Sequence, residues 1–200
     1  MELAVVRSRA ESGLQAPRVL AEVHLSNGLP AFNVVGMPET AVRESKDRVR
    51  GALMSSGFEW PQSRITVSLG PAEMRKTGGR YDLAIALGIL AAKRLFPADA
   101  LDDVEVYGEL ALDGRLRSVP GLLPAVIKAR EAGRSVIVPS DNAAEATLAE
   151  VRERLMAAGL YAPSRRQAAH ETSIRVVIPE DILDDDTLAE LARELGLEDD

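Results

Sequence analysis

The stretch Lys76-Thr77-Gly78-Gly79-Arg80-Tyr81-Asp82 sets two cations beside a double glycine and ends on a carboxylate. Paired glycines permit left-handed dihedrals and close approach of backbone to a ligand. The run that follows, "DLAIALGILAAKRL", reads as a helix, and the free N–H groups at a helix start attract anions. With Lys76 and Arg80 alongside, a phosphate of a nucleotide or nucleic acid is one chemistry this pattern permits. The same residues also make a structural corner, in which Asp82 caps the helix and takes the donors itself. The corner is the reading adopted: Gly78 and Gly79 form the turn, Asp82 starts a buried helix, and Arg80 is its one exposed candidate for contact.

Other chemistries need more than this. A Walker loop places four residues between a first glycine and a Gly-Lys-Ser/Thr run. "GPAEMRK" lacks the second glycine, and no such run occurs in the 200 residues. Lys-Thr-Gly is also a motif of serine β-lactamases, but that chemistry requires a serine with a lysine three positions on. No serine of the chain has that partner. Metal binding has little to work with: there is no cysteine, and the two histidines, His24 and His170, are far apart. Asp184, Asp185 and Asp186 are consecutive, so their side chains diverge, and they lack the spacing of a calcium loop.

Further candidates for DNA or anion contact are basic residues outside the corner. Arg43, Lys46 and Arg50 fall on one polar face of a predicted helix, mixed with Glu39, Glu44 and Asp47, with Arg48 beside them. Arg115 and Arg117 sit on a hairpin arm. Lys128, Arg130, Arg134, Arg165 and Arg166 are more isolated basic points. Phe, Tyr and Trp number three, three and one, and Phe32 and Tyr107 read as buried. A stacking platform for single strands is therefore hard to build.

The elements that hold these residues follow from local pattern. "LAVVRSRA" and "RVLAEVHLSNG" read as strands; in the second, Val19, Ala21, Val23 and Leu25 alternate with Leu20, Glu22 and His24. "AFNVVG" reads as a third strand, completing an antiparallel meander. A helix is predicted from about Thr40 to Gly57, then a strand at "RITVSLGP", then the glycine corner and an apolar helix. Asp113-Gly114 is a hairpin signal. "GLLPAVIKAREAG" reads as a helix with Pro124 in its first turn, "SVIVP" as a strand, and residues 142–159 as a helix capped by Asn142. The order alternates strands and helices with a mixed sheet, an α/β domain of α+β two-layer kind spanning 1–159. Residues 160–200 read as a polar linker followed by an acidic strand-helix segment with Leu188, Leu191, Leu195 and Leu197 as its apolar positions. That end either packs back as a last β-α unit or is a stub.

The net charge of -7 is unevenly spread. Ile174–Asp200 holds ten acids against two arginines, and the rest of the chain is close to neutral. A neutral body gives no general electrostatic case for nucleic acid but leaves a local patch open. No stretch has the eighteen apolar residues of a membrane helix, and the start lacks the layout of a secretory signal. The expected setting is the cytoplasm, without a membrane partner.

Three segments together resemble a known family. They are "MELAVVRSRAESGLQAPRVLAEVHLSNGLPAFNVVGMPETAVRESKDRVRGALMSSGFEWP", "RITVSLGPAEMRKTGGRYDLAIALGILAA" and "VYGELALDGRLRSVPGLLPAVIKAREAGRSVIVPSDNAAEA". They look like the N-terminal domain of magnesium-chelatase-like AAA+ proteins of the bacterial competence type, over about Met1–Ala146. The resemblance implies a fold like the proteolytic domain of Lon proteases and the second domain of a small-subunit ribosomal protein. It also implies a following hexameric motor that uses ATP and Mg, acts as a helicase in branch migration during natural transformation, and has DNA and recombination proteins as possible partners. No cofactor is implied for the present segment. A Lon-type peptidase site needs a serine in the glycine turn and a lysine in the helix after the hairpin. The resemblance places Arg80 and Ala125 at those positions, so both catalytic members are missing. The chain departs from the family pattern after about Glu150, and the motor does not follow; it reads as a segment that stops before it. Two alternatives to a non-catalytic accessory domain are an altered serine hydrolase, with Ser68 as its test residue, and a pure protein-interaction module.

Overall fold

The computed structural model describes residues 2–143 and 176–177. The predicted helix over 142–159 from residue 144 on, the boundary at 159, the linker with Arg165, Arg166 and His170, and the acidic leucine-bearing end lie outside the described residues.

Strand β1 (Glu2–Arg9) runs antiparallel to β2 (Arg18–Ser26), from Glu2 opposite Leu25 to Arg9 opposite Arg18. The period-two pattern of β2 has the predicted outcome: Val19, Ala21, Val23 and Leu25 are buried. The meander does not form. β3 (Ala31–Val35) does not pair with β2; it lies parallel to β4 (Arg64–Gly70), which inserts between them. Order within a sheet is set by which faces pack, and local pattern carries no record of it. The full order is β3-β4-β2-β1-β5-β8-β9, where β5 is Val104–Val106, β8 is Ser135–Ile137 and β9 is Val176–Val177. Parallel and antiparallel pairs coexist, so the sheet is mixed. β9 adds parallel to β8 through Val136–Val176 and Ile137–Val177.

The predicted helix after Thr40 is interrupted at Glu44, giving α1 (Thr40–Arg43) and α2 (Ser45–Ser55). The apolar run forms α3 (Asp82–Ala92), in which every residue is buried. A helix apolar on all sides is stable only when covered on all sides, and α3 lies between the sheet and α2. Gly88 makes its approach possible: a Cβ there would lie 2.5 Å from Val23 Cγ2. Fully buried Leu83, Ile85, Ile89 and Leu90 each contribute roughly 2 kcal/mol of apolar burial.

The Asp113-Gly114 signal yields a hairpin of β6 (Glu109–Leu110) and β7 (Leu116–Arg117), with Gly114 at φ 93. Its tip docks on α2, where Ser55 Oγ donates to the Leu112 carbonyl at 2.8 Å. α4 (Leu122–Glu131) packs with Tyr107, Val136 and Val138 into a second cluster. Register puts Glu105 and Val136 on the sheet face opposite Val104, Val106 and Ile137, which join the α3 core. Helices α2 and α3 thus cover one face, and α4 covers the other only at the β5–β8 end. Among the described residues no helix covers the second face over β2–β4, in keeping with the two-layer α/β arrangement expected.

Candidate functional site

The glycine corner is the element in which the sequence concentrates its chemistry, and its backbone is tied down on both sides. Lys76 N–H donates to the Met37 carbonyl and the Lys76 carbonyl accepts from Glu39 N–H. Gly78 takes φ 70, the left-handed turn that glycine allows without strain. Gly79 packs against Glu109: a Cβ would fall 2.3 Å from Glu109 Oε2, so the Glu109 side chain would have to shift. The first N–H groups of α3 are already used, Asp82 N–H on the Gly79 carbonyl at 3.0 Å and Leu83 N–H on the Gly108 carbonyl at 3.2 Å. An anion arriving at this helix start would compete with the fold's own acceptors.

The cations of the corner point inward. Arg80 was expected to be exposed; it is 2% exposed. Its guanidinium donates to the carbonyls of Arg9, at 3.2 Å, and Pro120, and lies 3.8 Å from Glu11. The guanidinium's fork of donors can satisfy two carbonyls and a carboxylate at once, which is what makes burial of this charge tolerable. Lys76 is fully buried with Nζ on the Pro71 carbonyl, and burial lowers its pKa. Neither side chain is available to a phosphate from solvent.

Asp82 does not cap α3. The cap position is Tyr81, without a side-chain hydrogen bond. The Asp82 carboxylate, 1% exposed, instead receives Arg48 Nε at 2.6 Å, Arg48 Nη2 at 3.0 Å and Leu110 N–H at 3.2 Å. Arg48, expected at the edge of a contact surface, is withdrawn into this pair and also donates to the Ala41 carbonyl at 2.8 Å. The pair locks α2, the start of α3 and hairpin strand β6 together. Burial pushes the Asp82 carboxyl up to about 6, while the Arg48 guanidinium pulls it down. Arg48 is in turn raised by its bond to Asp82.

A second buried network adjoins the first. Glu105, fully buried, receives Arg9 Nε at 2.7 Å, Arg9 Nη2 at 2.9 Å and the Tyr107 hydroxyl at 2.6 Å, with Arg134 Nη1 at 3.6 Å. Burial, then the neighbouring Glu105 charge, raises Tyr107 well above its ordinary value. Because Arg80 holds the Arg9 carbonyl, the corner and this network form one polar seam between sheet and α4. The sequence contained a sign of it: a carboxylate inside the apolar strand "VEVY" is rarely buried without a partner.

Ala125, at the lysine position implied by the resemblance, is buried in α4. Asn142, expected as a cap, bonds Val119 through both N–H and carbonyl at 2.9 Å. Of the remaining candidates, Arg43, Lys46 and Arg50 are exposed on α1 and α2, and they have no ion pair among the described residues. Arg115 and Arg117 are exposed on the hairpin, paired with Asp113 at 2.8 Å and Glu109 at 3.4 Å. Docking of the hairpin on α2 therefore brings the two predicted basic groups onto adjoining elements, while Lys76 and Arg80 are set apart in the interior.

The described residues hold no group of three His, Asp or Glu placed to bind a metal, and no helix long and apolar enough to cross a membrane. Surface hollows lie elsewhere, one of about 510 Å³ between Leu3 and Phe96 and one of about 420 Å³ beside His24.

Comparison with known proteins agrees with the family suggested by the sequence motifs. Residues 21–142 match the family model described as subunit ChlI of Mg-chelatase. The chain is 53% identical over 148 residues to the competence protein ComM of Haemophilus influenzae, covering 74% of this chain and 29% of that protein. It is 51% identical over 148 residues to the uncharacterized protein YifB of Salmonella typhimurium, with the same coverage. It is 42% identical over 151 residues to an uncharacterized protein of Mycobacterium bovis, covering 75% of this chain and 30% of that one. The chain thus spans about three tenths of the length of these curated relatives. With the family model matching more than half of its residues, the chain belongs to the family of the ChlI subunit of Mg-chelatase.

Proposed function

We propose that this chain is the non-catalytic N-terminal portion of a magnesium-chelatase-like AAA+ ATPase that works on DNA in competence, where it serves assembly, DNA guidance or partner contact. The likeness to ComM supports the competence setting. In this reading the complete protein is a cytoplasmic hexameric helicase that uses ATP and Mg in a separate motor and meets recombination proteins. The present segment has the Lon-like fold without its reaction.

The observation that carries the non-catalytic part is the inward use of Lys76 and Arg80, both buried and bonded to backbone carbonyls. A hydrolase needs a nucleophile within reach of a base and a cleft open to substrate. Here a guanidinium fills the position implied for the serine, and the buried methyl of Ala125 stands at the position implied for the base.

DNA guidance is assigned to Arg43, Lys46 and Arg50, with Arg115 and Arg117 on the adjoining hairpin. The test is binding of duplex and branched DNA by the 200-residue chain across salt concentrations. Replacing Arg43, Lys46 and Arg50 by alanine is expected to flatten the slope of log K against log salt by roughly 2 to 3 if each meets a phosphate. An unchanged slope removes DNA guidance, and binding of a protein partner indifferent to salt and DNA then favours the interaction module. Peptide turnover that disappears in Ser68→Ala contradicts the non-catalytic reading.

A further inference from the structure

The seam where the hairpin tip meets α2 leaves apolar surface uncovered. Met54 is 54% and Leu112 62% exposed. Leu112 packs on Gly51, one helical turn before Met54, where a Cβ would sit 2.9 Å from Leu112 Cδ2. The Ser55 hydrogen bond to the Leu112 carbonyl fixes the seam. Cations rim it. On the exposed side of α1 and α2, Arg43, Lys46 and Arg50 outnumber Glu44 and Asp47, and Arg115 stands on the hairpin beside Asp113. A methionine and a leucine inside a basic rim suit a partner that is apolar on one side and acidic on the other.

The same chain carries such a partner. Residues 184–200 hold eight acids against one arginine, Arg193. Leu188, Leu191 and Leu195 are spaced three and four apart, so they share one side of the helix that the sequence predicts there. Pairing of Val177 with Ile137 anchors the chain ahead of this segment at the β9 edge. The eleven positions from Val177 to Leu188 extend to about 36 Å, and the seven strands of the sheet span about 29 Å. The tether is therefore long enough to reach α2. The hollow between Leu3 and Phe96 is the rival place for leucines. It is lined by one arginine, Arg94, and one carboxylate, Glu2, so it offers an acidic segment no net attraction.

We infer that residues 184–200 dock on the α2–hairpin seam of their own chain, with leucines on Met54 and Leu112 and acids along the rim cations, and so shield this face from DNA. The docking is independent of the DNA role proposed above; the shielding rests on it.

The test is zero-length cross-linking of the full 200-residue chain with a water-soluble carbodiimide, which joins a carboxylate to an amine in contact with it. Peptides are read by mass spectrometry from chains that stay at 21.5 kDa. Lys46 is expected to couple to carboxylates of residues 184–200 about fivefold more than Lys93 or Lys128, the other lysines open to solvent. Met54→Glu sets a like charge in the seam and should cut this coupling about fivefold. Met54 is exposed, so the variant should fold, which wild-type-like Trp60 emission will verify. Replacing Leu188, Leu191 and Leu195 together by serine should cut the coupling equally and raise affinity for duplex DNA about fivefold. Coupling spread evenly over the three lysines, coupling found only between two chains, or coupling that survives Met54→Glu overturns the docking. DNA affinity unmoved by the serine variant overturns the shielding. Failure of wild type and variant alike to bind DNA overturns the DNA role and the shielding with it, while the cross-link still decides the docking.

Discussion

Replacing Arg48 by methionine isolates the Asp82 carboxyl in the interior while keeping most of the arginine's apolar bulk. Asp82 loses two charge-assisted bonds, at 2.6 and 3.0 Å, and keeps only Leu110 N–H at 3.2 Å. Removing one partner of a buried pair costs about 3–5 kcal/mol. Solvent reaches the Arg48 side, which is 18% exposed, so the lower end, about 3 kcal/mol, is the working figure. The sign of the pH dependence follows from the shift. Burial raises Asp82 from 3.8 to about 6, so the folded state holds the proton more tightly than the unfolded one. The stability this proton confers is fully present below about pH 4 and is lost as pH rises through about 6, a change of about 3 kcal/mol. Without Arg48 the carboxyl is displaced further upward, and the loss continues above pH 6. The deficit of Arg48→Met relative to wild type should therefore be small at pH 4, where the carboxyl is neutral in both, and reach about 3 kcal/mol at pH 8. Urea unfolding followed through the single tryptophan, Trp60, at both pH values measures it. A deficit equal at the two pH values, or below about 0.5 kcal/mol at pH 8, refutes the reasoning.

Arg80→Met leaves the buried carbonyl of Arg9 and the part-buried carbonyl of Pro120 without this donor; stability should fall by about 1–3 kcal/mol while affinity for DNA stays as in wild type, by urea titration and DNA binding. Glu105→Gln removes the charge that Arg9 and Arg134 face and should cost about 3–5 kcal/mol, with loss of the near-ultraviolet signal of Tyr107 on heating at a lower Tm. Gly36→Ala drives a Cβ to 2.1 Å from the Leu69 carbonyl oxygen at φ 99, so the variant should be insoluble or lose more than about 3 kcal/mol in urea.

The elements legible in the sequence are those whose signal is local. Alternation in β2, the unbroken apolar run of α3 and the Asp113-Gly114 turn each encode an element within a few residues, and all form. What the sequence hides is partnership over distance. Arg48 and Asp82 are 34 positions apart, and nothing local marks them as a pair. β3 is readable as a strand, yet its place beside β4 depends on the packing of α2 and α3 over the sheet. Arg80 reads as exposed because it is a cation that follows a double glycine in a turn; it is buried because backbone carbonyls from two distant segments converge on its guanidinium.

The cations of the glycine corner are used inside the fold, and amine accessibility tests this directly. The chain has four lysines, Lys46, Lys76, Lys93 and Lys128, so amine footprinting is simple to read. Brief treatment of the native chain with acetic anhydride, followed by peptide mass spectrometry, should label exposed Lys46 and leave Lys76 unmodified until urea unfolds the protein. Labelling of native Lys76 at the rate of Lys46 would show an open corner with an accessible amine and contradict the account.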